Sequence, residues 1–238
     1  MKRRALLVGV ERYQDAAIAN AGYAIHDIRA LRDVFEDFGF QAQCFENPSR
    51  NKLVDAVARS TEGLERDDMF LFFFAGHGLT LRGEEVLCCA DDHPGKTMGV
   101  PFAEIRAMTD KPGLHCVFLL DTSRSGIPAK FGGPEGTLRE MPPLNEVVAA
   151  DKRSSMVVIY ACRQGQNSYA VESAGHGLFT LALIDVLRRK RQETECVAVD
   201  LDLRDSLARR MREIIKESGL PIDQEPDFMS SGESPTFG

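Results

Sequence analysis

The chain has 238 residues, 43% of them hydrophobic and 27% charged, with a net charge of −7 at pH 7. That is enough chain for one large domain or two small ones around a sizeable core, in an ordinary soluble composition. The negative balance argues against a nucleic-acid partner and leaves room for basic substrates, and no apolar run approaches the about 20 residues that cross a membrane.

Residues 5–10 (Ala-Leu-Leu-Val-Gly-Val) read as a fully apolar strand. A helix is expected over 24–38, with Ile25, Ile28, Leu31, Phe35 and Phe38 on one stripe and Gly39 as its stop. Residues 40–46 follow as a second strand, and Pro48-Ser49 opens a second helix carrying Leu53, Val54 and Val57. The run Met69-Phe70-Leu71-Phe72-Phe73-Phe74-Ala75 is a buried strand that stops at Gly76-His77-Gly78. Residues 84–90 resemble part of a short hairpin, and a helix near 101–109 leads into a strand at 115–120. This strand stops at Asp121-Thr122-Ser123-Arg124-Ser125-Gly126. Residues 125–154, rich in Gly and Pro, form a long irregular stretch. A strand at 156–160, helices at 178–190 and 202–218, and a C-terminal strand or tail docked on the sheet edge complete the chain. Alternating strands and helices imply an α/β fold with a parallel sheet covered on both faces.

In an open parallel sheet, ligands bind at the carboxyl ends of the strands. Here one strand end delivers His77 and the next delivers Ser123, 46 residues on, which leaves room for one helix and its connections. A histidine beside a small nucleophile-type residue is a catalytic dyad layout. No zinc-type spacing is present, nor a Gly-rich phosphate loop. Six cysteines without a secretory signal read as reduced thiols, implying a cytoplasmic protein.

These residues carry a resemblance to the caspase-like cysteine peptidases: caspases, metacaspases, orthocaspases and paracaspases. Members show an apolar strand ending in His-Gly, then a second ending in Asp-x-Cys-x-Ser-Gly. Further matches are Ala24-Ile25-His26-Asp27, Ala161-Cys162-Arg163-Gln164-Gly165-Gln166 through Glu172, Gly177-Leu178-Phe179-Thr180 and Gln224-Glu225-Pro226. The resemblance implies a single caspase-like domain over 1–238, with a mostly parallel sheet of about six strands flanked by helices. It divides the chain into a large-subunit-like part (1–125), a linker loop (126–154) and a small-subunit-like part (155–238). It implies a cysteine-type endopeptidase in which His77 is the general acid/base and the N–H groups of Gly78 and residue 123 form the oxyanion hole. Gly78, lacking a Cβ, is expected to let substrate backbone approach closely.

Ser123 stands where the family has its cysteine. A serine hydroxyl is barely ionised at neutral pH, and these sites rely on a thiol. Three readings follow: a Cys→Ser substitution introduced to inactivate the enzyme, a natural pseudoprotease acting as a non-catalytic interaction module, or a working serine enzyme. The intact Asp121, Ser125, Gly126 and His77 favour the first. In metacaspases and paracaspases, an Asp two residues before the nucleophile and an Asp at the first helix bind a basic P1 side chain. These positions match Asp121 and Asp27, with Glu172 as a third candidate, so cleavage after Arg, and less well after Lys, is expected.

The resemblance also places self-cleavage in the 126–154 loop, where Lys130, Arg139, Lys152 and Arg153 lie, and favours a monomer. Calcium activates some metacaspases, but it needs six to eight oxygen ligands. Asp91-Asp92 supply only two adjacent carboxylates, so no cofactor is expected. His176, in a second Gly-His-Gly, reads as loop chemistry before a helix, and His26 as a solvated helix position.

Overall fold

The structure is a computed structural model that describes residues 1–81, 84–94, 96, 98–123 and 155–238. In chain order its first half contains β1 (Arg3–Gly9), α1 (Ala24–Asp37), β2 (Gln41–Glu46), α2 (Arg50–Thr61), β3 (Met69–Ala75), β4 (Gly78–Leu81), β5 (Glu84–Leu87), β6 (Val100–Pro101), α3 (Phe102–Thr109) and β7 (His115–Asp121). The second half adds β8 (Ser155–Tyr160), β9 (Ala170–Val171), β10 (His176–Gly177), α4 (Leu178–Glu193), β11 (Val197–Ala198), α5 (Leu201–Ser218), β12 (Asp227–Ser231) and β13 (Thr236–Phe237).

The central sheet has six strands in the order β12-β8-β7-β3-β1-β2. Every pairing is parallel except that of β12, which runs antiparallel to β8 along one edge. The α/β class is therefore as the apolar runs imply, and the C-terminal segment does dock on the sheet edge, as a strand. Both sheet faces are covered, so the strands must be apolar on both sides. On β3, Met69, Leu71 and Phe73 point to one core while Phe70, Phe72 and Phe74 point to the other. One core is filled by α1, α4 and α5, the other by α2, α3 and the β4–β6 hairpin region.

Local signals set the helix ends. Asp200 caps α5 by accepting from the N–H groups of Asp202 and Leu203, and Gly219 closes it in the left-handed region at φ 64°. The hairpin differs from expectation: its first strand starts immediately after His77, and Cys88 and Cys89 lie beyond the end of β5, both buried. The two-residue strands β9, β10, β11 and β13 were not legible in the sequence pattern.

The chain leaves β1 toward β2 on one side and returns through α2 to β3 on the other side of β1. This reversal opens a crevice above the carboxyl ends of β1 and β3. The 126–154 loop lies outside the described residues. All six cysteines are free. Among the described residues no helix is long and apolar enough to cross a membrane.

Candidate active site

A cavity of about 260 Å³ sits in that crevice, lined by the 20–22 loop, Ala24 and Asp27 of α1, Ala75-Gly76-His77, Asp121, Ser123, Ser168-Tyr169-Ala170 and Gly177. Four of the residues singled out from sequence, His77, Ser123, Asp27 and Asp121, therefore line one space. Glu172 does not: it is exposed in the turn between β9 and β10 and is not among the lining residues. Gly78 does not line the cavity either. A Cβ on it would lie 2.8 Å from Cβ of Thr122, so a side chain there would press on the residue before Ser123.

His77 is delivered by β3 through Gly76, whose φ of 156° is a conformation that side chains rarely adopt. Its backbone N–H donates to the Tyr13 hydroxyl (2.9 Å), and the two rings stack with centroids 5.0 Å apart. Nε2 lies 2.7 Å from the Ala19 carbonyl oxygen. A carbonyl only accepts, so Nε2 carries the hydrogen and Nδ1 is the base nitrogen of the neutral ring. Ser123 is half-buried two residues beyond β7, and its Oγ accepts from the Ser168 N–H at 3.1 Å.

Asp121, the last residue of β7, is buried. Oδ1 accepts from Ser168 Oγ (2.5 Å) and Oδ2 from Thr180 Oγ1 (3.1 Å). Burial, and then the neighbouring charge of Asp27, push its pKa up to about 7. Asp27 sits in the first turn of α1 and is buried as well. Its Oδ1 accepts from His176 Nδ1 (2.6 Å), and the Gly177 N–H reaches both oxygens, at 3.3 and 3.1 Å. Burial raises its pKa, partly offset by the hydrogen bonds from His176 and Gly177. A Cβ on Gly177 would lie 2.8 Å from Asp121 Oδ2 and 3.0 Å from Asp27 Oδ2. Two buried carboxylates thus face the same small volume, and neither pairs with a Lys or Arg among the described residues. No Lys or Arg stands among the described residues that line the cavity.

Several partners escaped sequence reasoning. His176 is not mere loop chemistry, because it bonds directly to Asp27. His26 is not a free surface position: it stacks on His176 at 4.2 Å and meets the Gly175 carbonyl at 2.6 Å. Ser168 and Thr180 were not singled out, although Ser168 falls inside the stretch from Ala161 through Glu172 and Thr180 inside the Gly177-Leu178-Phe179-Thr180 match. Gln224 was legible only as a motif position. Its role is to hold the 168–169 segment: Oε1 accepts from the Tyr169 N–H (2.9 Å), while Nε2 reaches the Ala161 carbonyl (2.9 Å) and Ser168 Oγ (3.2 Å).

The Asp91-Asp92 pair is occupied by backbone. Asp92 accepts from the N–H groups of Gly99 (2.7 Å) and Cys89 (3.0 Å), and Asp91 from that of Arg50 (2.8 Å). No cluster of three His, Cys, Asp or Glu side chains suited to a metal ion occurs among the described residues.

A family model described as the caspase domain matches residues 2–236. A search of curated proteins by sequence finds no significant match. Among solved structures, the crystal structure of a Geobacter sulfurreducens protein superposes with a TM-score of 0.69 at 18% identity, covering 98% of this chain and 94% of that one. Caspase-1 from Spodoptera frugiperda superposes with a TM-score of 0.68 at 14% identity, covering 98% and 86%. Identities this low speak to the fold alone.

Proposed function

Because the chain belongs to the caspase-domain family, we propose that it is built to cleave peptide bonds after basic residues, Arg before Lys, with residue 123 at the nucleophile position. The observation that carries this reading is the pair of buried carboxylates, Asp27 and Asp121, in the same cavity as His77 and Ser123. Burial makes an ionised carboxylate costly even when hydrogen-bonded, and a cationic side chain entering between the two offsets that cost. An acidic P1 side chain would meet like charge and no cation from the described lining residues.

With cysteine at position 123, a thiolate attacks the carbonyl carbon of the scissile bond, and the nitrogen leaves as an amine after taking a proton. Nδ1 of His77 is the ring nitrogen available to hold that proton, because Nε2 is committed to Ala19. The N–H groups of Gly78 and residue 123 are assigned to the oxyanion by family resemblance. Self-cleavage in 126–154 belongs to the same proposal, since an enzyme of this preference would meet Lys130, Arg139, Lys152 and Arg153 there.

The test is a panel of fluorogenic peptides assayed on the Ser123→Cys variant, with and without calcium. Turnover of Arg-ended peptides supports the reading, and turnover of Asp-ended peptides in their place refutes it. A second reading, a non-catalytic interaction module, draws on Ser123 itself, whose Oγ is tied to the Ser168 N–H. An inactive Ser123→Cys variant that still binds Arg-ended peptides would favour that module.

A further inference from the structure

We propose that His176 is a positioning residue that sets the preference for arginine over lysine, by fixing the orientation of the Asp27 carboxylate from behind. This rests on the basic-P1 reading above and adds a residue that does not touch the substrate: His176 is not among the cavity-lining residues.

Selecting a guanidinium over an ammonium is a geometric task. A guanidinium presents its N–H groups as a rigid planar fork, so it gains most from two acceptor oxygens held at a fixed separation and tilt. An ammonium is a compact point charge on a flexible stem and tolerates a carboxylate in any rotation. Here the two acceptors are Asp27 Oδ2 and Asp121 Oδ2, both within 3.0 Å of the place where a Cβ on Gly177 would sit. Asp121 is fixed twice, by Ser168 on Oδ1 and by Thr180 on Oδ2.

Asp27 is fixed differently. The Gly177 N–H is shared between its two oxygens, at 3.3 and 3.1 Å, and so does not choose between rotations of the group. His176 does choose. Its Nδ1 lies 2.6 Å from Oδ1, and a carboxylate oxygen only accepts, so the bond runs from Nδ1–H to Oδ1 and leaves Oδ2 turned toward Asp121. The imidazole is itself held. It stacks on His26 with an interplanar angle of 9°, and the His26 Nδ1–H donates to the Gly175 carbonyl at 2.6 Å, one residue before His176. The antiparallel pairing of β10 with β9 sets the register of the whole device. With only 14% of its side chain exposed, His176 reaches from β10 to Asp27 of helix α1.

The experiment uses the full chain carrying Ser123→Cys, with His176 unchanged or replaced, and compares kcat/KM on matched peptides ending in Arg and in Lys. His176→Phe keeps a flat ring on His26 and removes the donor. His176→Asn keeps an N–H close to the place of Nδ1. The Arg-to-Lys ratio is expected to fall roughly 10-fold in His176→Phe, through a higher KM for Arg, as one charge-assisted contact goes out of alignment. It is expected to return most of the way in His176→Asn, a rescue that a merely structural role would not give. If His176→Phe does not fold, His176→Gln, which displaces the donor, serves in its place against His176→Asn. An Arg-to-Lys ratio that stays put while the donor is lost, or that Asn does not restore, overturns the proposal alone. A parent variant that cleaves after neither Arg nor Lys overturns the basic-P1 reading, and this proposal with it.

Discussion

Replacing Asp121 by Asn should stabilise the protein, and by an amount that grows with pH. In the fold this carboxyl has its pKa pushed up to about 7 by burial and by the charge of Asp27. Unfolded, it titrates near 3.9. A raised carboxyl pKa means that the folded state holds the proton more tightly, so the group costs nothing below about pH 4. The cost builds between the two pKa values and is complete above about 7, where three pH units at 1.36 kcal/mol each amount to about 4 kcal/mol. Between pH 5 and pH 8 the stability gap between variant and parent should widen by about 2–3 kcal/mol, or roughly 5–10 °C in Tm for a chain of this size. Asparagine is neutral throughout and keeps a carbonyl oxygen for one of the two hydroxyls, while the other can turn to accept from the amide. Thermal or urea unfolding of both proteins at the two pH values measures the gap. A gap that does not change with pH would refute the reasoning, because it would mean that Asp121 is ionised in the fold at both.

The same protonation should appear in activity: in the Ser123→Cys variant, kcat/KM for Arg-ended peptides should rise as pH increases through about 7, because only the deprotonated pocket pairs with a guanidinium, and Asp121→Asn should remove that limb of the pH profile. Gln224→Ala removes three hydrogen bonds, two to the 168–169 segment and one to the Ala161 carbonyl, and should cost about 2–3 kcal/mol in urea unfolding, with a lower kcat/KM, whereas a surface-like loss under 0.5 kcal/mol would show that the clamp is not needed. Gly78→Ala drives a methyl to 2.8 Å from Thr122 Cβ and should cost about 1–3 kcal/mol, read as a drop in Tm. An unchanged Tm in Gly78→Ala would show that the Thr122 contact yields freely.

The strands were legible because a parallel sheet buried on both faces demands unbroken apolar runs, and the chain supplies them at 5–8, 69–75 and 116–120. Their ends were legible for the same reason: His77 and Asp121 stand where such runs stop. Asp27 was harder, since an acid in the first turn of a helix is ordinary at the surface, and only the tertiary packing of α1 against β10 buries it. His176 and His26 were misread because their pairing joins residues about 150 positions apart, and no periodicity reports such contacts. Ser168 stands in a loop and Thr180 in the first turn of α4, and their bonds to Asp121 join residues 47 and 59 positions apart, which no local pattern reports. Glu172 shows the opposite failure. A motif placed it, but the tight turn between two-residue strands points it into solvent.

The most direct measurement is covalent labelling of the Ser123→Cys variant with a peptidyl-arginine chloromethyl ketone, with the adduct located by mass spectrometry. The account predicts a single adduct at position 123, formed faster than with the aspartate-ended reagent and lost in a further His77→Ala change, while the exposed Cys196 stays unmodified. Equal labelling by both reagents, or reaction at Cys196 in preference to position 123, would contradict it.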